Sequence, residues 1–217
     1  MDGDSALTDA EDETNPPDSW PAPEYGVGQH QHVHAIGVIS LLTAQFERSV
    51  DSFHAHHWRE QNAPDDLIDL YYYSLNEEKR LEAIRAAFEQ FEADPAVKDA
   101  INNLVRYFHW CRDARNKLLH AEPYPPSLGS DPQLLYLIKR IDKRSRQSGY
   151  MKLSVAYLRS IAGKIRAGIV QSARISIYLR TRGLPLEKID RQLRAYAGEP
   201  LPEPLSVPRP LRLTLKP

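Results

Sequence analysis

The sequence has little that would support an exported, membrane-bound or disulfide-stabilised protein. Its 217 residues include one cysteine, Cys111, so no disulfide can form within the chain. No apolar run approaches the roughly 20 residues that a membrane-spanning helix needs. The first residues are acidic and lack the apolar centre of a signal peptide. These absences favour a cytoplasmic protein that is not embedded in a membrane.

Several catalytic signatures are also missing. The chain has no glycine-rich loop for phosphates and no Ser–His–acid spacing, so we predict no cofactor. His54 and His57 are three residues apart and would share a metal in one alternative. No Glu-x-x-His or Cys-x-x-Cys spacing accompanies them, so we predict no metal site. Cys111 falls in an apolar stripe and is interpreted as a core residue, and Tyr71–Tyr73 as packing residues.

The charge of the chain is distributed unevenly. The net charge is -1, but residues 1–133 hold 10 Lys and Arg against 24 Asp and Glu, a net of -14. Residues 134–217 hold 18 against 5, a net of +13. This asymmetry indicates an anionic partner for the second half, or two halves that neutralise each other in the fold or in a dimer.

Composition divides the chain into three parts. Residues 1–29 are predicted to be a disordered acidic tail, because the first 24 hold eight acids, four prolines and no Lys or Arg. Residues 30–197 form the predicted helical domain. Residues 198–217 are proline-rich and predicted to be an extended tail, either free or docked on a partner subunit.

Apolar spacing and capping residues predict the elements of the domain. Apolar residues at steps of three and four predict one helix over 33–60, and a short helix covers DDLIDLYYY. Ser74 and Glu77 have the spacing of a capping box for the next helix. Asp94 and Pro95 then start a helix over about 95–120.

The second half of the domain predicts a hairpin and a last long helix. LLYLIKR (134–140) and YMKLS (150–154) indicate two strands, although LLYLIKRI is also compatible with a helix. Ser154 caps a helix through about 181, which Gly183-Leu-Pro185 ends, and LEKIDRQLRAYA predicts one more short helix. The predicted fold class is mainly all-α, an antiparallel helical bundle with a small β-hairpin inserted before the last long helix.

One arginine breaks the apolar pattern of helix 95–120. Ile101, Leu104, Phe108 and Cys111 lead at steps of three and four to Arg115. A guanidinium cannot lose its charge there, so it needs a carboxylate, a phosphate or an exposed rim. At about 100° per residue, Arg115 and His120 lie about 140° apart, whereas Asn116 and His120 share a face.

The stretch RNKLLH at 115–120 resembles the signature of the HEPN superfamily, an arginine and a histidine separated by four to six residues, of which the first is usually Asn, Asp or His. QFERSVDSF also resembles part of the first helix of such proteins, and the resemblance covers roughly residues 30–185. It implies a homodimer in which Arg115, Asn116 and His120 of two subunits line the cleft of a metal-independent endoribonuclease. It further implies a toxin–antitoxin or antiviral defence setting with a regulatory partner protein.

The residue types suit this chemistry, because histidine exchanges protons near neutral pH and a guanidinium stabilises phosphorane oxygens. Two alternatives remain. A HEPN-like module can bind nucleic acid or protein without cutting, or Arg115 can pair with Glu47 or Asp51 in a structural role. RNA is the expected ligand, and the predicted nucleic-acid-binding residues are Arg112, Lys139, Arg140, Lys143, Arg144 and Arg146, near Tyr150 and Lys152. A solvated basic hairpin is the alternative for these residues.

Overall fold

Six helices and four short strands make up the structure, a computed structural model that describes residues 30–60, 63–123, 131, 133–140 and 148–215. In chain order they are α1 (His30–Asp51), α2 (His56–Glu60), α3 (Asp65–Ser74), α4 (Glu77–Phe91), α5 (Pro95–Leu119), β1 (Glu122–Pro123), β2 (Leu134–Arg140), β3 (Ser148–Ser154), α6 (Val155–Thr181) and β4 (Thr214–Leu215). This order confirms the predicted fold class. The predicted acidic tail over 1–29 lies outside the described residues. No helix in the described ranges has the length and apolar character that crossing a membrane requires.

The first helix is shorter than its apolar pattern predicts. The ring of His54 and the backbone N–H of His54 both donate to the carbonyl of Asp51. A continuing α-helix would need that oxygen for the N–H of Ala55. The chain instead turns over residues 52–55, and α2 begins at His56. The prediction of one helix over 33–60 is therefore wrong at this turn.

The start of α4 also differs from the prediction. Ser74 is the last residue of α3, and its hydroxyl donates to the carbonyl of Tyr71 at 2.6 Å. Asn76 caps α4 instead, because its side-chain oxygen accepts from the N–H of Lys79 at 3.0 Å. The predicted capping box of Ser74 and Glu77 is wrong because the preceding helix already uses the serine.

The two long helices α5 and α6 begin where their capping residues predict. The carboxylate of Asp94 accepts from the N–H of Ala96 at 2.9 Å, and Pro95 occupies the first turn of α5. The hydroxyl of Ser154 accepts from the N–H of Tyr157 at 3.2 Å at the start of α6. Each side chain satisfies a backbone donor that the helix itself leaves unpaired.

The core lies where α1 packs against α5 and α6. The ring of Phe46 on α1 meets the ring of Phe108 on α5 edge to face, with centroids 5.2 Å apart. Gly168 on α6 allows this close approach, because a Cβ atom there would lie 2.5 Å from Cε1 of Phe46. The helices are therefore held at a separation that the glycine sets.

The strands form one antiparallel sheet in the order β1-β2-β3-β4. The predicted hairpin is confirmed as β2 and β3, which rules out the helical alternative for LLYLIKRI. Side chains alternate across the sheet. The face toward the helices buries Leu135, Leu137, Met151 and Leu153. The opposite face carries Tyr136 and Tyr150, which are half-buried, and the exposed Lys152.

The last described segment, residues 198–215, crosses the bundle of its own chain, and we call it the strap. Three side chains of α5, spaced seven residues apart, donate hydrogen bonds to backbone carbonyls of the strap. These bonds join Asn103 to Leu205 at 3.0 Å, Trp110 to Arg209 at 2.9 Å and Lys117 to Leu211 at 3.0 Å. Fourteen helical residues rise about 21 Å, and six extended residues span about 20 Å, so an extended strap matches the helix.

The segment between α6 and the strap is less helical than predicted. Gly183 has a φ of 68° and follows the end of α6, as its sequence predicts. The predicted short helix over LEKIDRQLRAYA consists of two single 3₁₀ turns, Leu186–Lys188 and Arg194–Tyr196. Of residues 186–197, all of which the structure describes, Ile189 alone is buried, and one buried side chain does not support a continuous helix.

Candidate functional site

The three motif residues lie together at the carboxyl-terminal end of α5. Arg115 and Asn116 are half-buried, and His120, the residue that caps the helix, is exposed. Nη1 of Arg115 donates to Oδ1 of Asn116 at 2.9 Å. Within the described part of the chain, the imidazole of His120 has no hydrogen-bond partner. Asn116 therefore fixes the guanidinium, while the imidazole faces solvent.

A lysine from the hairpin joins this cluster. The carbonyl of Asn116 accepts the backbone N–H of His120 at 3.1 Å and Nζ of Lys139 at 3.4 Å. Lys139 lies on β2 with its side chain toward the helices. Lys139 was predicted to belong to a basic hairpin, with no connection to the motif. The structure brings a second fixed cation beside Arg115.

Arg115 lies at the rim of the buried stripe of α5. The core-facing positions in this turn are Cys111, Ala114 and Leu118, which are almost fully buried. Arg115 is the neighbour of that row, so its stem is covered and its head reaches polar groups. Arg115 thus interrupts the apolar pattern without burying its charge, because it lies at the rim of the buried stripe.

The two carboxylates considered as partners of Arg115 are bound by another arginine. Arg80 on α4 donates to Asp51 at 3.2 Å and to Glu47 at 3.4 Å. Burial raises the pKa of Glu47, and the charges of Glu77 and Asp51 raise it further, while Arg80 and Arg115 act in the opposite direction. Arg115 is therefore close enough to act on the charge of Glu47 without being its hydrogen-bond donor.

An aromatic residue completes this network on α3. The hydroxyl of Tyr72 donates to Asp51 at 2.5 Å, and burial together with this bond raises the pKa of Tyr72. The ring of His54 stacks on Tyr72 at 3.9 Å, and its Nε2 lies 3.1 Å from Asp69. Arg80 also lies over the Tyr72 ring. The network connects α1, α3 and α4 directly beside the motif.

The predicted nucleic-acid-binding residues occupy different environments. Arg112 forms an ion pair with Glu77 at 3.3 Å, so its charge already has a partner. Arg140 is exposed at the end of β2. Lys143, Arg144 and Arg146 lie outside the described residues. Among the described members of the predicted set, Arg140 and Lys139 therefore form no ion pair with another described residue.

Cys111 has no accessible surface, and burial raises the pKa of its thiol to about 12. Its interpretation as a core residue is confirmed. No group of three or more His, Cys, Asp or Glu residues within the described ranges has a metal-binding arrangement. The side chain of His57 lies outside the described residues.

The tyrosine run is only partly a packing feature. Tyr72 is buried, as predicted, but Tyr71 and Tyr73 are exposed, so the packing interpretation is wrong for those two. Tyr71 borders a cavity of about 290 Å³ together with Trp58 and His54. Most of the residues that line this cavity are apolar or aromatic, and Asp51 is not among them.

Arg80 is the site residue that the sequence analysis missed. Its position before Leu81 in a charged stretch, EEKR, resembles an exposed helix face, and no local signal separates it from Lys79. No protein-family model, curated protein or solved structure matches this chain. The function is therefore argued from the side chains at the end of α5.

Proposed function

We propose that this protein is a metal-independent endoribonuclease of the HEPN type, with Arg115, Asn116 and His120 as its catalytic residues. One observation carries the proposal: a half-buried guanidinium held by Asn116 at 2.9 Å, one helical turn before an exposed imidazole. Lys139 adds a cation beside the same turn. Together they form an anion-binding surface with a proton-exchanging group at its edge.

These groups match the needs of RNA cleavage by the neighbouring 2′-hydroxyl. The imidazole of His120 takes the proton of the 2′-hydroxyl or gives one to the leaving 5′-oxygen. The guanidinium of Arg115 donates to the phosphorane oxygens as negative charge develops on them. Asn116 keeps the guanidinium in place. The products are a 2′,3′-cyclic phosphate and a 5′-hydroxyl, and no step requires a metal ion.

A homodimer completes the proposed site. Arg115 and His120 are about 140° apart around α5, so one subunit does not direct both groups at one phosphate. A two-fold axis beside the end of α5 would place Arg115 of one subunit opposite His120 of the other. Since the imidazole is exposed, such an approach requires no rearrangement of this helix end.

The test is cleavage of total RNA in EDTA by purified protein. Arg115→Ala and His120→Ala are each expected to lower the rate by about 10²- to 10⁴-fold, and the wild-type fragments should end in cyclic phosphates. Arg106→Ala and His34→Ala are matched controls, because both side chains are exposed on the long helices α5 and α1. The proposal fails if either motif variant cleaves like its control.

A non-catalytic binding module of the same family is the second candidate. It is favoured by the bond between Arg115 and Asn116, which occupies the guanidinium within its own subunit. In that case the wild-type protein does not cleave RNA, and Arg115→Ala lowers only the stability of the fold. A cytoplasmic toxin or defence component restrained by a regulatory protein belongs to the first candidate, and co-purification with that protein would support it.

A further inference from the structure

A cleft of about 1010 Å³ lies between the strap, β3 and α6. We call it the strap cleft and define it by six of its lining residues. These are Tyr150 and Lys152 on β3, Tyr157 and Lys164 on α6, and Arg209 and Arg212 on the strap. None of them belongs to the motif at the end of α5. Tyr150 and Lys152 follow the basic hairpin loop that the sequence predicts as a nucleic-acid-binding segment, but they are not part of that loop.

The charge of the strap cleft has one sign. Lys152, Lys164, Arg209 and Arg212 line it, and none of its described lining residues is Asp or Glu. Among the described residues, none of these four cations forms an ion pair. Glu47 of the first half pairs with Arg80 of the same half, and Arg182–Glu92 is an ion pair between the halves. The basic half thus retains unneutralised charge at this cleft.

Aromatic rings stand among the cations. Tyr157 is 43% exposed, and Tyr150 is half-buried on the outer face of the sheet. Tyr136, on the strand beside β3, lies on the same face, and Nζ of Lys152 is 5.7 Å from the centre of its ring. Exposed aromatic rings interleaved with cations suit unpaired bases that stack while their phosphates meet lysine and arginine.

The strap itself builds the site. Without residues 206–212 the cleft would lose one wall and two of its four cations. Trp110 and Lys117 hold this wall by donating to the carbonyls of Arg209 and Leu211. Nζ of Lys164 also lies 5.7 Å from the ring centre of Trp110. Trp110 therefore both positions the strap and lies beside a cation of the cleft.

We propose that the strap cleft binds single-stranded nucleic acid, with phosphates on Lys152, Lys164, Arg209 and Arg212 and bases on Tyr150 and Tyr157. The choice of RNA as the natural ligand rests on the proposed function. The sheet connects the two places, because β1 begins two residues after His120 and β4 borders the cleft. Three strand spacings amount to about 14 Å, a distance that a few nucleotides span.

The test separates binding from cleavage by using an oligonucleotide that cannot be cut. Full-length protein is titrated into a fluorescent 2′-O-methyl oligouridylate, which lacks the attacking hydroxyl. Lys152→Glu/Arg212→Glu is expected to bind at least tenfold more weakly than wild type and to show a shallower salt dependence. Arg174→Glu/Arg191→Glu carries the same charge change on exposed residues outside the cleft and should stay within about twofold of wild type.

A third variant tests the role of stacking. Tyr157→Leu is expected to weaken binding by about tenfold without a change in the salt dependence, because it removes a ring and no charge. A duplex of the same length should bind more weakly than the single strand. Matching thermal unfolding curves of all variants would show that the fold is retained.

Three outcomes would overturn the proposal. In the first, the cleft variant binds the oligonucleotide as tightly as its control. In the second, duplex and single strand bind equally and Tyr157→Leu has no effect. In the third, an oligoglutamate peptide binds as tightly as the oligonucleotide. Binding at the cleft by a protein that cleaves no RNA would support this proposal while refuting the ribonuclease. Cleavage of RNA by a protein whose cleft variants bind like wild type would support the ribonuclease and refute the strap cleft as a binding site.

Discussion

Arg80→Met tests whether the charged network beside the motif holds the site together. The Arg80 side chain is 19% exposed and bonds Asp51, which is 17% exposed, and Glu47, which is 35% exposed. Removing one partner of a fully buried ion pair costs about 3–5 kcal/mol, whereas an exposed pair is worth about 0–1 kcal/mol. These part-buried carboxylates lie between those limits, so we expect a loss of about 2 kcal/mol of unfolding free energy at neutral pH.

The assay is urea denaturation of wild type, Arg80→Met, Asp51→Asn and the double variant. Because both single changes interrupt one interaction, the double variant should lose less than their sum, by about 1 kcal/mol or more. Arg85→Met is the control, since Arg85 is exposed on the same helix and bonds Asn102 at 2.9 Å. It should cost about 0.5 kcal/mol or less.

The same variant carries an expectation for activity. Without Arg80, the charge of Arg115 still acts on Glu47. The guanidinium of Arg115 is then drawn toward Glu47, and RNA cleavage should fall. Adding Glu47→Gln to Arg80→Met should restore cleavage. If Arg80→Met is as stable as Arg85→Met and shows no coupling with Asp51→Asn, the carboxylates are well solvated and this reasoning is refuted.

Three further predictions follow from burial. The fold raises the pKa of Glu47 above 4.5. Protonated Glu47 therefore contributes to the stability of the native state at low pH, and this contribution is lost as pH rises through the raised pKa. Glu47→Gln should therefore flatten the decline of the melting temperature from pH 4 to pH 8, and an unchanged profile would contradict the raised pKa. Gly168→Ala should cost about 1–3 kcal/mol in urea, because its Cβ would lie 2.5 Å from Cε1 of Phe46, and a neutral effect would mean that the ring moves freely. Cys111 should react with a thiol reagent at pH 8 only as fast as the chain unfolds, because burial raises its pKa to about 12, and rapid labelling of native protein would disprove this.

Local patterns were sufficient for much of the secondary structure. Asp94 with Pro95 and Ser154 begin the two longest helices where the sequence predicts, since a cap acts on backbone groups two or three residues away. The two short apolar runs around a polar link predicted the hairpin while leaving a helix open for LLYLIKRI, and the alternating burial of β2 settles that choice. The cap of α4 was misassigned to Ser74, two residues before Asn76, because both side chains can cap a helix and the end of α3 decides between them.

The candidate site was predictable in its residues and not in its surroundings. Arg115 broke an apolar pattern, and that break identified the helix end where Asn116 and His120 also lie. Lys139 and Arg80 reach the site from other elements, at sequence separations for which the chain offers no periodic signal. Pairings of this kind depend on how helices cross, and side-chain spacing along one helix does not contain that information.

The sequence by itself determined the starts of α5 and α6, the buried thiol and the motif at the end of α5, because each depends on neighbours within a few residues. Only the tertiary structure decided that Arg80 binds Glu47 and Asp51, and that the strap follows α5 and forms a basic cleft with β3 and α6. The physical reason is that long-range contacts form only after the bundle has set which faces meet. The strap is proline-rich and has no periodic pattern of its own, so its course is set by the donors on α5.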